Sequence, residues 1–146
     1  MEVRDLSAAD EEAWRPLWDG YCAFYEEVVP PEVTAVTWRR LLDPDMPLEG
    51  LVAERGGELV GFVNCVLHPS TWGTADTCYL EDLFVSPAAR GSGAGRALIE
   101  AVVERARARG LEKVYWHTRR DNARARTLYD SLAEVDDFVR YVVRCD

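Results

Sequence analysis

Lysine is almost missing from this chain, where Lys113 stands alone. A phosphate loop of the G-x-x-x-x-G-K-[ST] type needs a lysine directly after its second glycine, so that class is excluded. Long apolar runs are missing too. None approaches the roughly 18–20 residues of a membrane-spanning helix, so no membrane partner is expected. The opening Met1-Glu-Val-Arg-Asp-Leu6 lacks a basic leader followed by an apolar stretch. No signal peptide is therefore expected, and the cytoplasm is the expected compartment. Cys22, Cys65, Cys78 and Cys145 are scattered, with no C-x-x-C spacing and no paired histidines. Zinc and redox chemistry are thus not indicated, and reduced thiols are expected. No repeat, low-complexity tract or linker interrupts residues 1–146, which read as a single domain.

What is present is a charge asymmetry. The net charge of −9 divides into −12 over residues 1–85 (17 acidic, 5 basic) and +3 over residues 86–146 (9 acidic, 12 basic). An acidic surface repels nucleic-acid phosphates and attracts cationic amines, so a nucleic-acid partner is not expected.

The order of elements follows from periodicity and breakers. Glu2-Val-Arg-Asp5 offers a short strand, and Ser7-Ala-Ala-Asp10 a capping box opening a helix through about Glu27. Trp14, Trp18, Tyr21, Phe24 and Tyr25 form an aromatic stripe along it, either core or pocket lining. Pro30-Pro31 ends that helix, and Thr34 to Leu42 offers a second one. Strands are expected at 48–54 and 58–67 around a Gly56-Gly57 hairpin, and at 77–85. A helix follows from Gly93 to Arg109, closed by Gly110 and burying Leu98, Ala101 and Val102. Then come a strand at 112–117, a last helix from Asn122, and a final strand at 137–144.

The decisive stretch is Tyr79-Leu-Glu-Asp-Leu-Phe-Val-Ser-Pro-Ala-Ala-Arg-Gly-Ser-Gly-Ala-Gly-Arg96. A strand runs into a glycine-rich turn that opens a helix. Gly91, Gly93 and Gly95 let the backbone bend and let a ligand approach it closely. The first N–H groups of the helix lack intrahelical partners and carry the positive end of its dipole, with Arg90 and Arg96 as added counter-charge. An anionic, phosphate-bearing ligand is expected there. The G-x-G-x-x-G dinucleotide fingerprint does not fit, because the third glycine arrives one residue early.

Arg90-Gly-Ser-Gly-Ala-Gly95 resembles the R/Q-x-x-G-x-G/A pyrophosphate loop of the Gcn5-related N-acetyltransferase (GNAT) superfamily. Asn122-Ala-Arg-Ala-Arg-Thr-Leu-Tyr129 resembles its second signature, N-x-x-A-x-x-L-Y. The resemblance covers essentially the whole chain. It implies an α/β GNAT fold, a mixed central sheet with splayed central strands and helices on both faces. It also implies acetyl-CoA as co-substrate, with no metal. The coenzyme would meet Leu83, Phe84, Val85, Arg90, Gly91, Ser92, Gly93, Ala94, Gly95, Arg96, Asn122, Arg124 and Ala125. Trp14 to Tyr25 and His68-Pro-Ser-Thr-Trp72 resemble the branch of fungal histone and polyamine acetyltransferases and their bacterial counterparts, whose members often form homodimers. The implied activity is transfer of an acetyl group to a primary amine of a small molecule. Transfer to protein lysines and a catalytically silent acyl-CoA-binding module are the alternatives.

The chemistry requires an amine that has lost a proton, although such amines titrate near 10.4. Leu80-Glu-Asp-Leu83 resembles the L-E-D segment of small-amine acetyltransferases, which makes Glu81 the base, or else a carboxylate that binds the acceptor. Because strand neighbours face opposite sides, Glu81 and Asp82 are not expected to share the cleft. By the same resemblance Tyr129 protonates the departing thiolate; its alternative is a packed core tyrosine. A backbone N–H near Phe84–Val85 would polarise the thioester carbonyl. Trp18, Tyr21, Tyr25, Glu81 and His117 are the expected acceptor-binding residues. His117 reads either as a second base or as a structural histidine.

Overall fold

A computed structural model describes all residues, 1–146. In chain order it contains β1 (Glu2–Asp5), a 3-10 turn (Ala8–Asp10), α1 (Glu11–Phe24), α2 (Pro31–Leu42), β2 (Leu48–Arg55), β3 (Glu58–His68) and β4 (Thr77–Val85). A second 3-10 turn (Pro87–Ala89), α3 (Ala94–Ala108), β5 (Val114–Tyr115) and α4 (Ala123–Asp130) follow. The chain divides into two compact units, Met1–Trp116 and His117–Asp146.

The first unit is a five-stranded mixed sheet in the order β1-β2-β3-β4-β5. β1 to β4 are antiparallel neighbours, and β5 runs parallel to β4. Gly56 and Gly57 join β2 to β3 with φ of 60° and 83°, the left-handed pair that matches the twist of a two-residue hairpin. One face of the sheet carries α1 and α2. Trp14, buried at 1% exposure, stacks on Trp18 at 5.4 Å and packs on Trp38 at 5.0 Å and Phe62 at 6.1 Å. The other face carries α3, where Leu98, Ile99, Val102 and Ala106 are buried. A side chain at Gly61 would meet Leu98 across that interface. Ala101 is only half-buried, and Ile99 takes the core place expected of it.

The capping box ties the first strand to this arrangement. Asp10 accepts from the Ser7 backbone N–H at 2.8 Å and takes two bonds from the Arg4 guanidinium, each 2.8 Å. Arg4 also reaches Glu54 on β2 at 3.3 Å. The Arg4 bonds hold the Asp10 carboxyl down at about 2 despite its burial.

Several boundaries depart from expectation. α1 stops at Phe24 because Glu26 turns left-handed (φ 56°), and the Glu27 N–H closes back on the Cys22 carbonyl. α2 starts at Pro31 rather than Thr34, since a proline at the first helical position loses no hydrogen bond. β5 spans Val114–Tyr115, not 112–117.

In the second unit, Asn122 caps α4 as expected, its side-chain oxygen accepting from the Ala125 N–H at 3.2 Å. The expected strand at 137–144 does not form. Its apolar pattern has no ladder partner, and Phe138, Val139, Tyr141, Val142 and Val143 are all exposed.

The Arg4–Asp10 pair makes a measurable contribution. A carboxyl lowered from 3.8 to about 2 stabilises the fold above pH 4, an effect of about 2 kcal/mol. Asp10→Asn is expected to lose about that much in urea unfolding at pH 7. The gap between variant and wild type should then close as pH falls from about 4 towards 2. An equal gap at pH 2 would show that charge is not its source.

Candidate active site

β4 is paired unequally on its two sides. Against β3 it is bonded along its length, from His68↔Thr77 to Gly61↔Val85. Against β5 it pairs only through Cys78↔Val114 and Tyr79↔Tyr115. The edge from Leu80 to Val85 has no strand partner, as a splayed sheet requires. An unpaired edge of this kind can hydrogen-bond an extended ligand.

The β3–β4 register shifts in the middle: Asn64 faces Asp82, while Cys65 faces Leu80. Glu81 is thus the extra residue of a β-bulge, and the strict alternation of side chains fails at that point. The expectation that Glu81 and Asp82 cannot share a face therefore lapses. Burial pushes the Tyr21 phenol up, with Asp82 next through its charge and hydrogen bond, and smaller contributions from Tyr25 and Glu81. Asp82 accepts from Asn64 Nδ2 at 3.1 Å and from the Tyr21 hydroxyl. Burial lifts its carboxyl above the usual range while these two bonds oppose the rise. Glu81, exposed at the bulge, is also raised, first by desolvation and then by the neighbouring Asp82 charge. The network of Asp82, Tyr21 and Asn64 is the part of the site that sequence reasoning missed. Only the adjacency of Glu81 and Asp82 hinted at it.

The aromatic stripe divides. Trp18 is core, with its ring N–H donating to Thr34 Oγ1 at 3.1 Å. Tyr21 packs edge-on against Phe84 and Tyr25 at 6.3 and 5.1 Å, on the sheet face that carries Asp82.

Beyond Val85 the chain makes a 3-10 turn and reaches the glycines. Gly91 and Gly93 have φ of 83° and 89°, which only glycine adopts without strain, and a Cβ at either would meet open space. The first intrahelical bond of α3 is Ala97 N–H to the Gly93 carbonyl, so the amides of Ala94 to Arg96 precede the ladder. Ser92 Oγ is buried there with no partner. An open left-handed turn and an orphaned hydroxyl at a helix start fit a diphosphate. Arg96 pairs with Glu100 at 3.5 Å. Arg90 lies with its guanidinium carbon 5.9 Å from the centroids of both Phe24 and Phe84. In the second unit, Ala125, Leu128 and Tyr129 are half-buried along one side of α4, while Arg124 and His117 are exposed.

Residues 14–133 match the acetyltransferase (GNAT) family. The chain belongs to that family. It is 40% identical over 141 residues to the D-amino-acid N-acetyltransferase HPA3 of Saccharomyces cerevisiae, covering 95% of this chain and 88% of that protein. Among solved structures, a probable acetyltransferase superposes with a TM-score of 0.89 at 21% identity, over 100% of this chain and 99% of the other. The aminoglycoside acetyltransferase AAC(6')-Iy, in complex with a bisubstrate analogue of CoA, gives 0.82 at 21% identity, over 99% and 98%. The splayed mixed sheet is the GNAT fold, and the chain is an acetyl-CoA-dependent N-acetyltransferase.

Gly93→Ala tests the turn. The left-handed conformation should cost about 1–2 kcal/mol of stability. Calorimetry with coenzyme A is expected to show at least tenfold weaker binding, because the new methyl enters ligand space rather than protein. Binding equal to wild type would take the turn out of the coenzyme site.

Proposed function

We propose that this GNAT enzyme transfers the acetyl group of acetyl-CoA to a primary amine of a small molecule, by direct attack in a ternary complex. The bulge at Glu81 carries the reading. It leaves Glu81 exposed beside Asp82, which meets Tyr21, next to an unpaired strand edge that leads into a glycine turn. In this reading Arg90 and the amides of Gly91, Ser92, Gly93, Ala94, Gly95 and Arg96 take the diphosphate. The edge at Leu83, Phe84 and Val85 aligns the pantetheine arm. Asn122, Arg124 and Ala125 add coenzyme contacts, and Tyr129 supplies the proton for the departing thiolate. A phenol stays protonated at neutral pH and can donate. Glu81 takes the proton from the acceptor amine, directly or through water. Tyr21 and Tyr25 line the acceptor side, and His117 is a further acceptor contact. Residues 1–146 act as one N-acetyltransferase domain in this reading, supported by a family match that spans both compact units. The amino-acid acceptor named for the yeast relative supports a small acceptor.

Two finer features complete the proposal. Buried free thiols at Cys65 and Cys78 favour a reducing cytoplasm. Exposed apolar residues from Phe138 to Val143 favour cover by a second copy, and hence a homodimer. Light scattering should give the mass of two chains at micromolar concentration, and the 16.5 kDa of one chain would remove the dimer.

Tyr129→Phe is expected to lower turnover at least tenfold while coenzyme A affinity holds. Unchanged turnover would remove Tyr129 from the reaction. Glu81 must be ionised to act as a base, and its pKa is raised. Activity should therefore fall as pH drops through that raised value, and Glu81→Gln should abolish the acid limb in kcat/KM. An acid limb identical in both enzymes would assign it to another group.

A further inference from the structure

His68 is the last residue of β3 and opens the turn-rich segment from Pro69 to Gly73. Its ring is bonded at both nitrogens. Nδ1 lies 2.9 Å from the Pro69 carbonyl oxygen at the surface, and Nε2 lies 2.8 Å from the Tyr115 hydroxyl in a partly buried position. A carbonyl can only accept, so Nδ1 carries the hydrogen of the neutral ring and Nε2 is left to accept from Tyr115. One tautomer is therefore fixed, as the third member of a Ser-His-Asp triad fixes it in hydrolases.

Tyr115 belongs to the sheet face that carries Asp82. It pairs with Tyr79 across the short β4–β5 ladder and stacks on it at 5.0 Å, 18° from parallel. Tyr79 pairs with Val66, and Val66 alternates with Asn64 and His68 along β3, so Asp82, Tyr79 and His68 line one face. Glu81 stands two residues beyond Tyr79, about 7 Å along β4. Burial pushes the Tyr115 phenol up first, and the charges of Cys78 and Glu81 add to the rise. Lys113 brings its ammonium to 6.0 Å from the Tyr115 ring centroid. The phenol thus keeps its hydrogen at neutral pH, and can pass one on only as it receives another. Acid, phenol and imidazole succeed one another from the bulge to the surface segment.

We propose that Tyr115 and His68 form a relay that carries the acceptor's proton from Glu81 to solvent during acetyl transfer. The inference rests on the reading of Glu81 as the base. An amine bound against Glu81 displaces water from it, and the relay keeps an exit open. Once Glu81 holds the amine proton, it passes it through a bridging water to the Tyr115 oxygen, whose lone pairs can accept. As that O–H bond forms, the original hydroxyl hydrogen moves to His68 Nε2. The ring becomes an imidazolium with its Nδ1–H still bonded to the Pro69 carbonyl. It then loses a proton to surface water, the Pro69-bonded tautomer returns, and Glu81 is left ionised for the next acceptor. Both are positioning residues, since they act through Glu81 and not on the amine.

The test measures turnover of D-phenylalanine and phenethylamine, with acetyl-CoA saturating, in His68→Ala, His68→Gln and Tyr115→Phe. Each variant should lose about tenfold or more in kcat, as removal of a proton-transfer group does, with the KM of acetyl-CoA unchanged. Glutamine can accept the Tyr115 hydrogen bond but cannot take up its proton, so a merely structural role would survive in His68→Gln. Added imidazole should restore turnover in His68→Ala and leave Tyr115→Phe unaffected. Thermal unfolding of each variant checks that it stays folded. Full kcat in His68→Gln, or a loss in His68→Ala that imidazole leaves unrestored, would overturn the relay. Glu81→Gln keeps the two readings apart. If it retains full turnover, the base assignment falls and the relay with it; if it loses turnover while His68→Gln does not, only the relay falls. A wild type that acetylates neither amine overturns the small-amine reading and the relay together.

Discussion

One extra residue in β4 governs the chemistry of this fold. Asn64 pairs with Asp82 and Cys65 with Leu80, so Glu81 stands outside the ladder. An unbulged strand would turn one of the two carboxylates towards α3, into a layer of buried Leu98, Ile99 and Val102. There an ionised group would lack partners and be costly. Asp82 lies on the side of α1, where Asn64 and Tyr21 satisfy it, and the bulge leaves Glu81 exposed outside the ladder. The same irregularity lies beside the point where β4 leaves β5, so the acids and the open strand edge arise together.

The surrounding packing makes that irregularity sustainable. Trp14, Trp18, Trp38 and Phe62 form a dense layer between α1, α2 and the sheet. The Arg4–Asp10–Glu54 cluster anchors the start of α1 to β1 and β2. Tyr21 is thus presented from a helix whose position is set elsewhere, and its hydroxyl meets Asp82 without the site having to organise itself. Raised carboxyl pKa values follow from that burial, and they are what a base working on amines near neutral pH needs.

Much of this was legible in the residues, for identifiable reasons. The span of β4 matches expectation at both ends, because Thr77–Val85 is flanked by turn-rich segments. The hairpin at Gly56-Gly57, the turn at Gly91–Gly95, the Asn122 cap and the stop at Gly110 are all local backbone chemistry. Features that depend on a partner strand were not legible. The apolar residues at 137–144 read as a strand, yet the pattern alone cannot supply a neighbour to bond. The bulge depends on register against β3, which alternation cannot reveal. The lie of Arg90 over Phe24 and Phe84 depends on where α1 ends, and that is set by a left-handed Glu26 carrying no glycine signal.

By itself, then, the amino-acid order determined a helix start prepared for an anion, the two family signatures and the alternation of helices with strands. These are encoded within a few consecutive residues, where glycine, asparagine and proline restrict the backbone directly. Only the tertiary structure decided which carboxylate is buried, which aromatic rings remain open and where the loop arginine points. Each of those depends on hydrogen bonds and contacts between segments far apart in the chain, whose geometry no local pattern records.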